Sequence, residues 1–465
     1  MLTLCPGRPV VTAAEMCAAE AATIIGGVSA EILMGRASAA ATLAIQRFAP
    51  MASALVLCGP GNNGGDGFGV AAMLRAAGVD VRVAADAMPQ GQPGATVAAR
   101  WAGPIVPFTA ATPEPLIIDA LFGTGLTRRL GPDVQALLDR LRGSGAAVVA
   151  LDIASGIDSD TGAALGEPLP ADLTIAFGAA KRGHLLGAGR RATGRLVVAD
   201  IGIAIADALV SHGAAPLLGN LADDTHKYRR GGVLVIAGAA PGAARLAALS
   251  ALRAGAGAVT LVGSDDAPPA DAIMRASDGA ALALLGTAKV RAVALGPGLA
   301  ADQRGRDWLL RLLGGATPLV LDAGALALFD SPQDLFGDAI APLVLTPHVG
   351  EFTRLFGPPG VDPVAAVRAA AIVSGAVVLL KGRETIIAAP DGRVAINTHA
   401  APWLATAGSG DALTGIIVAL LAQGVSPFDA AQAAAWLHGD AGLRGGAGMI
   451  ADDIPRLLPH VLADL

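Results

Sequence analysis

Short, unbroken apolar runs recur along this chain, and most end in a loop rich in glycine or acid. Ala54–Cys58, Leu116–Ile118, Ala147–Leu151, Gly232–Ala237, Ala258–Val262, Val290–Leu295, Leu319–Leu321, Leu343–Leu345 and Val377–Leu380 all have this form. Such runs, without polar alternation, predict strands buried on both faces of a parallel sheet. Ala-rich helices are predicted between them. Thr12 and Glu15 have the spacing of a capping box at the head of the first helix, and a second runs from near Ser29 to Phe48. Further helices are predicted from about Phe68 to Ala77 and through the apolar run Leu413–Leu421. From Ile203 to Asp224 the pattern dissolves into short Ala, Gly and Pro pieces, and the alternation then restarts. The expected architecture is therefore two doubly wound α/β domains, residues 1–212 and 221–465.

Composition narrows the partners. The chain has 465 residues, 53% of them hydrophobic, and a net charge of −6. That hydrophobic excess is mostly Ala, Val and Leu, interrupted every few residues by Gly, Pro or charge, so no membrane span is readable. An acidic balance with few aromatics offers neither a phosphate-tracking basic face nor a base-stacking platform, and nucleic acid is not an expected partner. Cys5, Cys17 and Cys58 are an odd set without metal spacing, and no secretory leader is visible, so the cytoplasm is the expected compartment. A homo-oligomer is left open.

Candidate chemistry lies in the loops. Ala54–Cys58 feeds Gly59-Pro-Gly-Asn-Asn-Gly-Gly-Asp-Gly67, an order of strand, glycine loop and helix that suits nucleotide binding without matching the dinucleotide G-x-G-x-x-G. Two more runs end in Asp119, followed by Ala-Leu-Phe-Gly-Thr-Gly-Leu-Thr-Arg-Arg129, and in Asp152-Ile-Ala-Ser-Gly-Ile-Asp158. In an open parallel sheet such loops share one crevice, which would gather Asn63, Asp119, Asp152 and Ser155. Singly, Asp119 and Asp152 are as readily helix caps.

Taken in order, GPGNNGGDG, DALFGTGLTRR and DIASGID resemble the epimerase domain of the NAD(P)H-hydrate repair enzymes, over most of residues 1 to about 210. The resemblance implies a Rossmann-like three-layer domain. It implies that Asn62, Asn63, Gly64, Gly65, Asp66, Gly123, Thr124, Gly125, Leu126, Thr127, Arg128, Arg129 and Asp152 hold the hydrated dinucleotide. Asn63, Asp119 and Ser155 would ligate potassium, with Asp119 catalytic. Ala154 stands where the family usually has Pro, which removes backbone stiffness and leaves Asp152 and Ser155 intact.

In the second half, Ala405–Gly415 reads ATAGSGDALTG and puts one carboxylate, Asp411, among glycines at the start of a helix. Unscreened N–H groups and the positive helix end suit phosphate oxygens, and Asp411 is placed to take a proton from a hydroxyl attacking a phosphoryl group. Lys381 after an apolar strand, beside Gly382, suits phosphate. For His348 a structural role and a ligand contact are equally supported, while Asp322 reads as a cap or a crevice group and is left out of the site. Glu351 is unassigned. GPG, TPHVGE, KGRET and TAGSGDALTG resemble the dehydratase domain of the same enzymes, a branch of the ribokinase-like superfamily. By that resemblance Ala243, Gly298, His348 and Asp411 contact the hydrated dinucleotide. Lys381, Gly382, Arg383, Glu384, Thr385 and Gly410 bind ADP, with magnesium neutralising charge. Asn397–Leu404 departs from the family, where many relatives carry glycine.

The resulting expectation is a bifunctional isomerase and lyase acting on hydrated NADH and NADPH. The first domain would interconvert the R and S hydrates, and the second would use ADP to dehydrate the S hydrate. The alternatives are a vitamin or sugar kinase with a regulatory dinucleotide-binding domain, and a non-catalytic nucleotide-binding scaffold.

Overall fold

The computed structural model describes all residues except 1, 50–51, 206–207, 219–225, 264–267, 329–330 and 332–338. The chain forms two compact units, Met1–Ser211 and His212–Leu465. The expected start of the second domain, residue 221, lies outside the described residues.

In the first unit, strands β1 (Leu2–Leu4), β3 (Ser53–Cys58), β4 (Asp80–Ala84), β5 (Ile105–Val106), β6 (Leu116–Ala120), β7 (Ala147–Leu151), β8 (Leu173–Phe177) and β10 (Arg195–Ala199) form one sheet. Their order is β1-β10-β8-β7-β6-β3-β4-β5, and β2 (Val10–Val11) with β9 (Ala180–Lys181) makes a separate pair. Only β1 runs antiparallel to its neighbour. The chain walks outward through β3, β4 and β5, then returns to lay β6 on the other edge of β3. The carboxyl ends of β3 and β6 therefore flank a topological switch point, where open sheets bind ligands. Alternation along β3 fills both layers: Ala54, Val56 and Cys58 enter one core with Phe68 and Val70, while Leu55 and Leu57 enter the other with Leu137 and Leu138. The capping box forms, with Thr12 N–H donating to Glu15 Oε2 at 2.7 Å and Glu15 N–H to Thr12 Oγ1 at 3.2 Å.

One helix differs from its sequence reading: it spans Asn62–Ala76 and so begins six residues before Phe68. Glycine's poor helix propensity hides that start. Packing requires it, because a Cβ on Gly67 would lie 2.6 Å from the Ala120 Cβ and 2.9 Å from the Cys58 Sγ. The glycines let the helix press onto β3 and β6, which brings Asn63 and Asp66 into the crevice.

The chain enters the second unit through β11 (Val210–His212), the outer strand of a ten-stranded sheet. The others are β12 (Gly232–Ile236), β13 (Ala258–Val262), β14 (Ile273–Ala276), β15 (Ala292–Leu295), β16 (Leu319–Leu321), β17 (Leu343–Leu345), β18 (Val377–Leu380), β19 (Thr385–Ala388) and β20 (Val394–Asn397). Their order is β11-β20-β19-β18-β17-β16-β15-β12-β13-β14. From β14 to β18 all pairings are parallel, and β19 and β20 add an antiparallel hairpin. Here the switch point lies between β12 and β15.

The helix Ser409–Ala422 packs against Pro241–Arg253 and Pro427–Gly445 inside one core. Every residue of it is buried except Gly410 and Asp411. Each of its buried Leu and Ile side chains contributes about 1.5–3 kcal/mol, so the helix is a rigid base that offers one carboxylate to the crevice. Among the described residues, no single helix is long and apolar enough to cross a membrane.

Candidate active sites

The first unit's crevice is built on Asp119, which is fully buried within β6. Its Oδ1 accepts from the Ser155 hydroxyl at 2.6 Å and from the Leu121 N–H at 3.2 Å, and its Oδ2 accepts from the Ser155 N–H at 2.8 Å. Asp119 thus ties the loop after β7 to the end of β6. Burial pushes the Asp119 carboxyl up, against the opposing pull of its hydrogen bonds to Ser155 and Leu121. Asn63 donates from Nδ2 to the Leu151 carbonyl at 3.3 Å, while its Oδ1 is buried without a hydrogen-bond partner.

Asp152 follows β7 with a φ of 63°, a left-handed conformation uncommon for a residue with a Cβ. The segment after β8 holds it there. Lys181, 1% exposed, bonds Asp152 Oδ1 through Nζ and also donates to the Phe177 carbonyl at 3.0 Å. His184 accepts the Lys181 N–H at Nδ1 (2.9 Å), which leaves Nε2–H to donate to the Asp152 carbonyl at 2.7 Å. Burial, then the nearby Lys181 charge, depresses His184 to about 4, so the ring is neutral. Asp66 shares this neighbourhood. Burial foremost, then the charges of Asp152 and Glu20, holds its carboxyl well above the usual range, and its Oδ1 has no partner.

Gly123 sits where a Cβ would lie 3.2 Å from Asp152 Oδ2 and 3.4 Å from the Asn63 Cβ. Asn63, Asp119, Gly123, Asp152 and Ser155 therefore converge. Asn62 and residues 125 and 127–129 are exposed, Leu126 is buried, and Gly64 and Gly65 lie inside the helix. Lys181 and His184 are new to the site. The Lys-Arg-Gly-His run follows the strand Leu173–Phe177, which the apolar pattern did not predict, so nothing in the sequence brings it to the crevice.

In the second unit the loops after β12 and β15 meet at the switch point, with Ala240 N–H donating to the Gly298 carbonyl at 3.0 Å. Gly298 has a φ of 68°, and a side chain there would overlap the Ala240 carbonyl. Ala243 lies in the first turn of Pro241–Arg253. Further along the sheet edge, Lys381 Nζ pairs with Asp322 Oδ1 at 2.7 Å, and Thr414 Oγ1 donates to Asp322 Oδ2 at 2.8 Å. A Cβ on Gly410 would lie 3.2 Å from Lys381 Nζ. Asp411 occupies the first turn of its helix, which Gly408 opens with a φ of 90°. Burial, then the negative charge of Asp322, raises Asp411 from 3.8 to about 6, partly offset by Lys381. Asp322, left aside on sequence grounds, is thus the hub joining Lys381 to the Asp411 helix.

His348 caps the helix Val349–Phe356: Gly350 N–H donates to its Nδ1 at 3.0 Å, and its own N–H donates to Glu351 Oε2 at 2.8 Å. That reciprocal cap gives Glu351 a local role. His348 also forms a parallel bridge to Lys381, whose N–H donates to the Pro347 carbonyl at 2.9 Å. Gly382, Arg383, Glu384 and Thr385 continue from Lys381 in the turn between β18 and β19. The segment Asn397–Leu404 is pinned to the helix Pro427–Gly445. His399 stacks on Trp436 at 4.6 Å and pairs with Asp440 at 2.9 Å.

The two halves match different family models: residues 30–183 match the YjeF-related protein N-terminus, and residues 233–458 match NAD(P)H-hydrate dehydratase. Bifunctional NAD(P)H-hydrate repair enzymes are similar over both. That of Salinibacter ruber is 36% identical, the alignment covering 99% of this chain and 97% of the relative. That of Moorella thermoacetica is also 36% identical, over 88% and 87%. Among solved structures, the ADP/ATP-dependent NAD(P)H-hydrate dehydratase of Bacillus subtilis is 31% identical, covering 53% of this chain and 94% of that one, with a TM-score of 0.48.

Proposed function

The chain belongs to the bifunctional NAD(P)H-hydrate repair enzymes, epimerase and dehydratase in one polypeptide, and from that premise we propose which residues carry each activity. The hydrated ring bears a hydroxyl on the carbon beside its nitrogen. Once that hydroxyl is protonated, the nitrogen lone pair expels water and leaves a planar iminium, which water re-enters from either face. Asp119 is the proton carrier, and the Ser155 hydroxyl bonded to it links it to the rest of the crevice. Asp66 has an observation of its own in favour of this role, a buried carboxyl oxygen without a partner, so Asp66→Asn assayed beside Asp119→Asn decides between them.

Potassium suits this crevice because the Asn63 Oδ1 is an orphaned buried acceptor beside the Asp119–Ser155 pair. Asn63, Asp119 and Ser155 would hold it. Bound there, the cation supplies positive charge that favours carboxylate in a dry site. Asn62–Asp66, the loop 123–129 and Asp152 hold the dinucleotide, with the exposed Arg128 and Arg129 suited to its phosphates.

The cluster of Asp411, Lys381 and Asp322 at the head of a buried helix carries the reading of the second unit. Asp411 takes the proton from the substrate hydroxyl as that oxygen attacks the terminal phosphorus of ADP, and AMP leaves. The ring nitrogen then expels phosphate, a proton leaves the adjacent carbon, and the dihydronicotinamide is restored. Lys381 and the backbone N–H groups around Gly410 bind the transferring phosphate, with residues 382–385 on the nucleotide. Ala243, Gly298 and His348 line the substrate side. Magnesium binding by one or two carboxylates together with phosphate oxygens is compatible with Asp322 and Asp411, and it supplies charge neutralisation. Among the described residues no three metal-binding side chains form a cage.

Purified protein is expected to consume ADP only with hydrated cofactor. A stable phosphorylated vitamin or sugar, detected by mass spectrometry, would instead establish the kinase alternative.

A further inference from the structure

We infer that His438 is the positioning residue of the second unit's phosphate loop: its Nε2–H fixes Ser409 and so aims the N–H groups of Gly410 and Asp411 at the transferring phosphoryl group. The inference rests on the dehydratase reading of this unit and adds to it the residue on which the loop's geometry depends.

The loop cannot set its own shape. Gly408 opens the helix Ser409–Ala422 with a φ of 90° and has no side chain to cap it, and Gly410 follows Ser409 directly. Glycine on both sides leaves this turn more backbone freedom than any other residue would. At the helix start, Ser409 N–H reaches the Thr406 carbonyl at 3.3 Å and Ala412 N–H reaches the Gly408 carbonyl at 3.1 Å. Among the described residues, the N–H groups of Gly410 and Asp411 between them have no acceptor. They are the donors left for phosphate oxygens.

His438 supplies the missing constraint from the helix Pro427–Gly445. Its Nε2 lies 3.0 Å from the Ser409 carbonyl oxygen and 3.0 Å from the Ser409 Oγ. Two oxygens facing one ring nitrogen put the proton on Nε2, which donates to the carbonyl. Burial depresses His438 to about 4, against the raising effect of its bond to Ser409 and with the Lys381 charge adding to the fall, so the ring is neutral. It therefore fixes the loop without adding charge beside Lys381. The helix that carries it is itself braced: a Cβ on Gly439 would overlap the His399 carbonyl, and Asn397 Nδ2 donates to the Ala435 carbonyl at 3.2 Å. A donor on so firm a base keeps the loop's N–H groups aligned as charge develops on the phosphoryl oxygens, where alignment counts most.

The test follows ADP-dependent recovery of reduced cofactor from the S hydrate, with the full chain, in wild type, His438→Leu, His438→Asn and His438→Gln. Leucine fills the space without donating, the asparagine amide falls short of Ser409, and the glutamine amide N–H reaches the place of Nε2. His438→Leu and His438→Asn are expected to lose about 30-fold in kcat, because slight misplacement of reacting groups costs up to about 10²-fold, with KM for the hydrate unchanged within about twofold. His438→Gln is expected to keep kcat within about threefold of wild type. The melting temperature separates this loss from unfolding, and if His438→Leu does not fold, His438→Asn against His438→Gln carries the comparison. Wild-type kcat in a folded His438→Leu or His438→Asn, or a loss in His438→Gln as deep as in His438→Asn, overturns the proposal and leaves the dehydratase reading standing. No ADP-dependent recovery by wild type overturns both.

Discussion

Replacing Asp322 by Asn removes one negative charge from the second unit's crevice while keeping its shape. Asp322 is 1% exposed and holds Lys381 and Thr414 through its two oxygens. After burial, its charge is the next cause of the rise that takes Asp411 from 3.8 to about 6. Because burial is the larger cause and remains in the variant, removing the Asp322 charge lowers the Asp411 carboxyl only part of the way from about 6 back towards 3.8. The sign follows from the role of Asp411. A base works only when ionised, so wild-type kcat/KM for dehydration falls as pH drops through about 6, and in Asp322→Asn it falls only at a lower pH. Lys381 also loses its anchor. If the pair positions the lysine by about 1.4 kcal/mol, KM for ADP rises about tenfold. Breaking a fully buried pair costs about 3–5 kcal/mol, but the Lys381 side chain is 21% exposed, so about 2 kcal/mol is expected and the unit stays folded. The assay is recovery of reduced cofactor by absorbance from mildly acidic to neutral pH. An acid limb unmoved from about 6, with an unchanged KM for ADP, would refute this coupling.

Gly410→Ala puts a methyl group 3.2 Å from Lys381 Nζ, so KM for ADP is expected to rise about three- to tenfold with the melting temperature unchanged, as steady-state kinetics will read. Lys181→Met leaves Asp152 without its buried cation; a loss of about 3–5 kcal/mol in urea denaturation is expected, together with loss of epimerisation. Lys181→Arg is expected to rescue neither, because no room exists for a guanidinium at a side chain 1% exposed.

The central strands of both sheets were legible because residues buried on both faces leave unbroken apolar runs, whereas Asp80–Ala84, Leu173–Phe177 and Arg195–Ala199 in the first unit were not read. Helix starts marked by Thr12 and Ser29 were legible, but the one at Asn62 was not, because its opening turn is written in glycine, which propensity counts against a helix and close packing requires. The acids and glycines of both crevices were identifiable from their place after strands. Their partners were not, because pairings such as Lys381 with Asp322, or Lys181 with Asp152, join residues on different strand ends. His348 shows a different gap. It caps its helix with Glu351 as Thr12 does with Glu15, but a ring nitrogen is outside the Ser/Thr pattern by which such boxes are sought.

The division of labour is tested most directly by giving a mixture of R and S hydrates, with ADP, to wild type, Asp119→Asn and Asp411→Asn, and following recovery of reduced cofactor alongside the epimer ratio. Wild type should recover the whole mixture. Asp119→Asn should stop at the S hydrate initially present, and Asp411→Asn should interconvert the epimers while its recovery falls about 10²- to 10⁴-fold. Recovery of the whole mixture by Asp119→Asn would contradict Asp119 as the proton carrier, and loss of both activities in either variant would contradict the assignment of one activity to each unit.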